Sequence, residues 1–121
     1  MFLRPIMFAA LISSSVLASA QAATLNKFDG RWSIVLSTDV GTCEASIPAT
    51  FNVKADDIAA AAESPLRADG AVEASGTMWI RFTAGQDNYR GQGKLTPSGG
   101  SGVWSSGSRY CGGKWRATRA R

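Results

Sequence analysis

The residue types able to do chemistry are thinly spread along this chain. It has 121 residues and no histidine, so the side chain that most often serves as general base or metal ligand is missing. Cys43 and Cys111 are its two cysteines. Far apart in sequence, they lack the ligand spacing of a metal site. Asp56 and Asp57 form an adjacent carboxylate pair, which in a turn reads as solvated. Gly99-Gly100-Ser101-Gly102 is rich in glycine but lacks the Lys-Ser/Thr and the helix of a phosphate loop. The serines cluster in turn-like stretches, and no general base marks one of them as a nucleophile. The expectation is a protein that is not an enzyme and has no cofactor or metal.

Cations and aromatics interleave near the end of the chain, at Arg109-Tyr110, Lys114-Trp115-Arg116 and Arg119-Ala120-Arg121. An oligonucleotide-binding barrel would show such a pattern. Strand parity turns Trp115 inward and leaves Lys114 and Arg116 as a solvated face, and the start of the chain points to export. No nucleic acid is expected. The net charge of +4 is unevenly placed: from Gln21 to Ser75 there are four basic and eight acidic residues, and from Gly76 onward eight basic residues and one acid, Asp87. The asymmetry could mark a polyanion surface. The favoured reading sets the basic strands beside the acidic ones, neutralising them.

The opening residues, MFLRPIMFAALISSSVLASAQAA, have the layout of a secretory signal peptide. Arg4 supplies the basic start, Ile6 to Leu17 the apolar run, and Ala18-Ser19-Ala20 a small-x-small cleavage site. The run is too short to span a bilayer comfortably, and no later stretch approaches that length. Residues 1–20 are read as the signal, 21–30 as a flexible segment and 31–121 as one domain, periplasmic or secreted, with no membrane span once the signal is removed. In an oxidising compartment Cys43 and Cys111 are expected to pair. A ring of that length stabilises by about 4 kcal/mol in the loop-entropy account, a large share for so small a core.

Short segments with period-two alternation follow, broken by turn residues. In RWSIVLST the inward set is Trp32, Ile34 and Leu36. In ASIPATFNV it is Ala45, Ile47, Ala49, Phe51 and Val53, with Pro48 on the outward set, where the missing donor predicts a bulge or weak pairing. AVEAS, TMWIRFT, NYRGQGKL, SGVWSS and GKWRATR continue the series, separated by turn signals at Ala68-Asp69-Gly70, Ala84 to Asp87, Pro97 to Gly100 and Gly112-Gly113. Asp56 to Glu63 is ambiguous. Its alanines and a potential N-cap at Asp56 suggest a helical turn, while its place in the series suggests a strand. Counted as a strand it gives eight, joined by hairpin-length loops. The predicted fold is all-β, a small eight-stranded antiparallel up-and-down barrel with one disulfide. Its interior is filled by side chains or holds one small ligand. By parity both cysteines point inward, before the second and eighth strands, so the bridge ties the seam on either side of the first.

Every tryptophan follows a glycine by two or three residues, as in Gly30-Arg31-Trp32, Gly76-Thr77-Met78-Trp79, Gly102-Val103-Trp104 and Gly113-Lys114-Trp115. A crowded barrel cannot hold a bulky residue at every inward position, so the glycine before each inward indole is read as leaving its space. Trp32, Trp104 and Trp115 are then core plugs. Trp79 faces out beside Arg81, opposite the inward Met78, Ile80 and Phe82, as a packing lid or partner contact. Gly30-Arg31-Trp32 resembles the Gly-x-Trp signature of the calycins, the lipocalin and avidin-like barrels. That resemblance implies that Trp32 closes the barrel floor and that Arg119 packs across it. Phe28-Asp29-Gly30-x-Trp32-Ser33, Gly91-x-Gly93-x-Leu95, Gly100-Ser101-Gly102-x-Trp104-Ser105 and Cys111-x-Gly113-x-Trp115-x-Ala117 together resemble a group of small exported bacterial proteins without assigned activity. Labels in that group invoke haem use or adhesion, but Tyr89 and Met78, the possible iron ligands here, read as core.

If Trp32 and Arg119 form the floor, the mouth lies at the disulfide end, where the loops carry Asp39, Thr42, Glu44, Asp87, Arg109 and Tyr110. These, with Trp79, are the candidate contacts of a binding module for a small ligand or a cell-envelope partner. The alternative is an inhibitor of a secreted hydrolase. Periplasmic metalloprotease inhibitors, which the chain resembles in its early Gly-x-Trp, insert a free N-terminal segment into the protease cleft. Residues 22–27 would play that part here.

Overall fold

Alternating apolar and polar residues build eight strands: β1 (Gly30–Val40), β2 (Ser46–Lys54), β3 (Asp57–Ala60), β4 (Arg67–Val72), β5 (Thr77–Ala84), β6 (Asp87–Leu95), β7 (Gly99–Ser106) and β8 (Cys111–Arg119). The computed structural model describes residues 27–62, 64 and 66–120. The signal expected over residues 1–20, and residues 21–26, lie outside them. Each strand pairs antiparallel with the next, and β8 pairs with β1, closing the barrel. Inward residues bury as parity predicts at Trp32, Ile34 and Leu36 on β1, Ala49, Phe51 and Val53 on β2, and Met78, Ile80 and Phe82 on β5, whereas Ile47 is half-buried and Ala45, which precedes β2, is exposed. The barrel's packing begins before Arg31. Gly30 already opens β1, and Phe28 is buried in the core.

The ambiguous segment from Asp56 contains a strand, though one of only four residues. Ala55 and Asp56 have φ of 51° and 69° between the paired Lys54 and Asp57. Two central residues at positive φ make a type I′ hairpin turn, whose twist matches that of the flanking strands. Asp56 is therefore a turn residue and not a helix N-cap. The Asp29 carboxylate accepts the Ala55 N–H at 3.0 Å, tying this turn to the start of β1.

Other turn expectations need correction. Ala68-Asp69-Gly70 lies inside β4, with Gly70 paired to Ile80. Its missing side chain admits the backbone of β5, since a Cβ there would run into the Trp79 carbonyl. The turn comes later, where Gly76 N–H bonds the Glu73 carbonyl at 2.8 Å, so the strand expected over Ala71 to Ser75 sits instead at Arg67–Val72. Gly99 and Gly100 belong to β7, and the turn before them is closed by Thr96 N–H to the Gly99 carbonyl at 2.7 Å. Gly112 and Gly113 belong to β8. They lie opposite a β-bulge where the β1 register slips between Thr38 and Val40, leaving Asp39 as the extra residue. No bulge occurs at Pro48: the β1–β2 register runs unbroken from Gly30↔Val53 to Ser37↔Ser46. β3 reaches only Phe51 to Lys54, so Pro48 borders an unpaired edge, where a missing donor is tolerated.

The Gly-x-Trp repeats work between strands rather than along them. β7 and β8 run antiparallel, so their two motifs pass head to tail, with Gly102 paired to Trp115 and Trp104 paired to Gly113. Each indole crosses its glycine and donates to the strand beyond. Trp115 Nε1 reaches the Gln92 carbonyl of β6 at 3.2 Å, and Trp104 Nε1 reaches the Ser37 carbonyl of β1 at 3.0 Å. A Cβ on Gly102 would strike the Gln92 carbonyl and lie 2.6 Å from Trp115 Nε1, and one on Gly93 would strike the Ser101 carbonyl and lie 2.7 Å from Trp115 Cζ2. The space under Trp115 is thus vacated by Gly102 and Gly93 on neighbouring strands. Its own Gly113 instead admits the bulged β1, because a Cβ there would strike the Ser37 carbonyl. Gly102→Ala is expected to destabilise the barrel by about 1–3 kcal/mol, the usual penalty of overpacking. Thermal unfolding followed by circular dichroism would read this as a loss of roughly 5–15 °C in Tm.

Candidate functional site: the disulfide-end rim and the outer wall

One end of the barrel is closed by side chains. The Arg119 guanidinium lies 5.8 Å from the Trp32 ring centroid. Its Nη1 donates to the carbonyls of Lys27 at 2.8 Å and Pro97 at 3.1 Å, and its Nη2 to that of Asp29. Trp32 lies parallel to Phe51, with centroids 6.1 Å apart, and its Nε1 donates to the Phe28 carbonyl at 2.9 Å. These bonds hold Lys27 to Asp29 against the floor. Between floor and rim the interior is occupied: Trp32, Trp115, Phe51, Phe82, Ile34, Ile80 and Leu95 are all fully buried.

The opposite end carries the polar side chains. The β1–β2 loop, the β5–β6 turn and the β7–β8 turn meet there. Cys43 and Cys111 are bonded, with Cα atoms 5.9 Å apart. Cys111 is the first residue of β8, paired to Ser106, rather than a loop position, so the lean across the seam comes from the loop carrying Cys43. The bridge crosses close over the end of β1, where a Cβ on Gly41 would lie 2.6 Å from that of Cys111.

Arg109 organises the rim. Its Nη1 donates to Glu44 Oε2 at 3.0 Å and to the Tyr89 hydroxyl at 3.2 Å. Ser106, a buried hydroxyl, donates to the Asn88 carbonyl at 2.6 Å and accepts the Arg109 N–H at 3.2 Å. Ser108 Oγ accepts the Asn88 N–H at 3.1 Å. The bonds to Glu44, Tyr89 and Asn88 fasten the β7–β8 turn to the Cys43 loop and to β6, and the Arg109 N–H to Ser106 bond closes the turn on itself. On this anchored turn Tyr110 has φ of 56° and is 86% exposed. A bulky side chain in the left-handed region is strained, and such strain persists only where the surroundings impose it.

Glu44 and Arg109 are paired at this end of the barrel, and Tyr110 follows Arg109 on the same turn. Asp39 is exposed at the β1 bulge, Thr42 is exposed in the Cys43 loop, and Asp87 is half-buried at the start of β6. Trp79 belongs elsewhere. It stands 49% exposed on the outer wall of β5, beside an open groove of about 580 Å³ also lined by Arg81, Arg90, Gln92, Val103 and Ser105. Tyr89 and Ser106 are rim residues that sequence reasoning misses. Tyr89 reads as core and its ring is indeed buried, packed 6.0 Å from Trp104, but its hydroxyl emerges at the rim. The available signal is its place near the rim end of β6.

Neutralisation of the basic half is incomplete. Asp69 pairs with Arg81 at 3.1 Å and Glu44 with Arg109 at 3.0 Å. Among the described residues Arg90, Lys94, Lys114 and Arg116 have no ion pair. The strand order explains why: acidic β3 and β4 adjoin only β2 and β5, which keeps their carboxylates away from β7 and β8. Also among the described residues, no three His, Cys, Asp or Glu side chains gather as metal ligands.

No protein-family model, curated protein or solved structure matches this chain.

The rim pair has an electrostatic signature. The Glu44 carboxyl is held below the usual glutamate range, first by its own backbone N–H and then by the Arg109 guanidinium. Arg109 is held protonated, first by the Tyr89 hydroxyl and then by Glu44. A carboxyl with a lowered folded-state pKa contributes stability that is present above its unfolded pKa and lost as pH falls through the folded value. Carbon-detected NMR titration of Glu44 should therefore give a midpoint below that of an ordinary glutamate. In Arg109→Gln the midpoint should move up towards the ordinary value. An unchanged midpoint would show that the guanidinium does not act on this carboxyl.

Proposed function

We propose that the protein is an exported, non-catalytic binding module that meets its partner through the rim at the disulfide end of the barrel. Tyr110 carries this reading. A large aromatic side chain, almost wholly exposed, stands in a strained backbone conformation on a turn fastened by a disulfide and by Arg109. Exposed aromatics and arginines on rigid supports supply most of the binding energy at protein interfaces. The filled interior directs recognition to the surface, and a protruding tyrosine on an anchored turn suits a protein partner better than an enclosed small ligand. A secreted or cell-envelope protein is the partner of choice.

Export is supported by the signal-like N-terminus and by the disulfide, which suits a periplasmic or secreted location. The barrel faces water: Ser33, Ser37, Lys114 and Arg116 point out while the apolar residues point in. Lipid-facing barrels have the reverse arrangement.

A photo-crosslinking phenylalanine analogue at Tyr110, in protein exported by its own cell, should capture one discrete partner. The same analogue at exposed Thr118, at the floor end, should not. Tyr110→Asn should then weaken affinity for the captured partner about tenfold or more. Asparagine tolerates the left-handed backbone, so the loss would belong to the side chain and not to the turn. Unaltered affinity would defeat the rim reading. Deleting residues 22–26 tests the alternative, an inhibitor that inserts its N-terminal segment into a hydrolase. Under the rim reading, binding survives that deletion.

A further inference from the structure

The outer wall of the barrel holds a second set of side chains that the rim does not use. Three of the four tryptophans spend their indole N–H inside the protein, on the carbonyls of Phe28, Ser37 and Gln92. Trp79 Nε1 has no such partner among the described residues, and no cation covers its ring. It is half exposed on the outward face of β5. The ladder register sets Trp79, Gln92, Val103 and Lys114 in one row across four strands. With strands about 4.8 Å apart, the row runs roughly 14 Å around the convex outer wall of the closed barrel, a path that a flexible polymer can follow.

Cations flank that row. Arg90 and Lys94 stand two residues to either side of Gln92 on β6, and Arg116 stands two residues beyond Lys114 on β8. Each lies about 7 Å along its strand from the row. None is engaged by a carboxylate among the described residues. Ser101 is paired with both Lys94 and Arg116, and Ser105 with Arg90, adding hydroxyls between the charges. The open groove of about 580 Å³ beside Trp79 includes Arg90 and Ser105 in its lining.

From this juxtaposition we propose that the outer wall of β5 to β8 docks an acidic polysaccharide. A pyranose unit lays its apolar C–H face on the Trp79 indole, its hydroxyls meet Gln92 and the Trp79 N–H, and carboxylates on neighbouring units meet Arg90, Lys94, Lys114 and Arg116. Charge complementarity selects the polymer. The single aromatic selects sugar over single-stranded nucleic acid, which needs a series of rings on which successive bases stack. The amide, hydroxyls and charges around Trp79 are too polar for insertion into lipid. The wall is separate from the rim, so the proposal stands or falls independently of the reading of Tyr110.

Calorimetric titration of the purified protein with polygalacturonate tests it, with dextran, phosphatidylglycerol vesicles and oligothymidine as competitors for the assignment. Polygalacturonate is expected to bind, and more weakly as salt rises, while dextran does not. Trp79→Ala, with folding checked by circular dichroism, should weaken binding about tenfold, as loss of one stacked ring does. Arg90→Gln with Lys94→Gln should weaken binding and flatten its salt dependence, and Tyr110→Asn should leave it unchanged. The proposal is overturned by absence of polygalacturonate binding, by equal binding of dextran, by a Trp79→Ala protein that binds as tightly as the parent, or by loss confined to Tyr110→Asn. Tighter binding of the vesicles or of oligothymidine would also overturn it, assigning the wall to lipid or to nucleic acid.

Discussion

Two indoles cannot sit inward on adjacent strands of an eight-stranded barrel unless the strand beside each gives way. In the β7–β8 hairpin a glycine stands opposite each indole: Gly102 leaves the space of Trp115, and Gly113, opposite Trp104, admits the bulged β1. The antiparallel register makes the arrangement reciprocal. A one-residue slip would turn both tryptophans outward and set their glycines opposite the wrong partners. The same pair binds the hairpin to its neighbours on both sides, through the Gln92 carbonyl of β6 and the Ser37 carbonyl of β1. Barrel closure, the anchoring of the rim turn and the direction of the outer-wall side chains all follow from this register.

β1 is pinned at both ends as well as along its length. At the floor, Arg119 draws the segment before β1 against the end of β8 through the carbonyls of Lys27 and Asp29, and holds the β6–β7 turn through that of Pro97. At the rim, the Cys43–Cys111 bridge crosses beside Gly41, where β1 ends. The fixed β1 gives the rim a rigid base, and the Arg109 network brings the β7–β8 turn onto it. Conformational freedom of the β7–β8 turn is thus removed by the fold itself.

Much of this was legible in the sequence because period two is a direct signal. Trp32, Ile34 and Leu36, or Met78, Ile80 and Phe82, announce an inward face, and eight such segments with short loops announce a barrel. Glycine is where legibility fails. Gly70, Gly112 and Gly113 look like turn residues, yet each marks a close approach of a neighbouring strand, and only the register separates the two uses. Charge was misread for a related reason. Whether Asp69 or Glu73 can neutralise Lys114 depends on which strands touch around the barrel, and the ring order keeps them apart. Tyr89 shows the limit of a buried-or-exposed division, since its ring belongs to the core and its hydroxyl to the rim.

The closure of β1 on β8 also has a kinetic meaning. The first strand of the barrel finds its second neighbour only when the last strand is available, so the pairing that seals the ring has the longest sequence separation the domain offers. Contacts of that kind form slowly, since the intervening chain must be ordered first. While the chain folds, β1 keeps one unpaired edge until the C-terminal strand arrives, a period in which that edge can recruit another chain. Within this fold the bulge at Asp39 interrupts the pairing geometry of that edge near its rim end, and a bulge is one of the devices by which natural sheets discourage foreign strands from adding on.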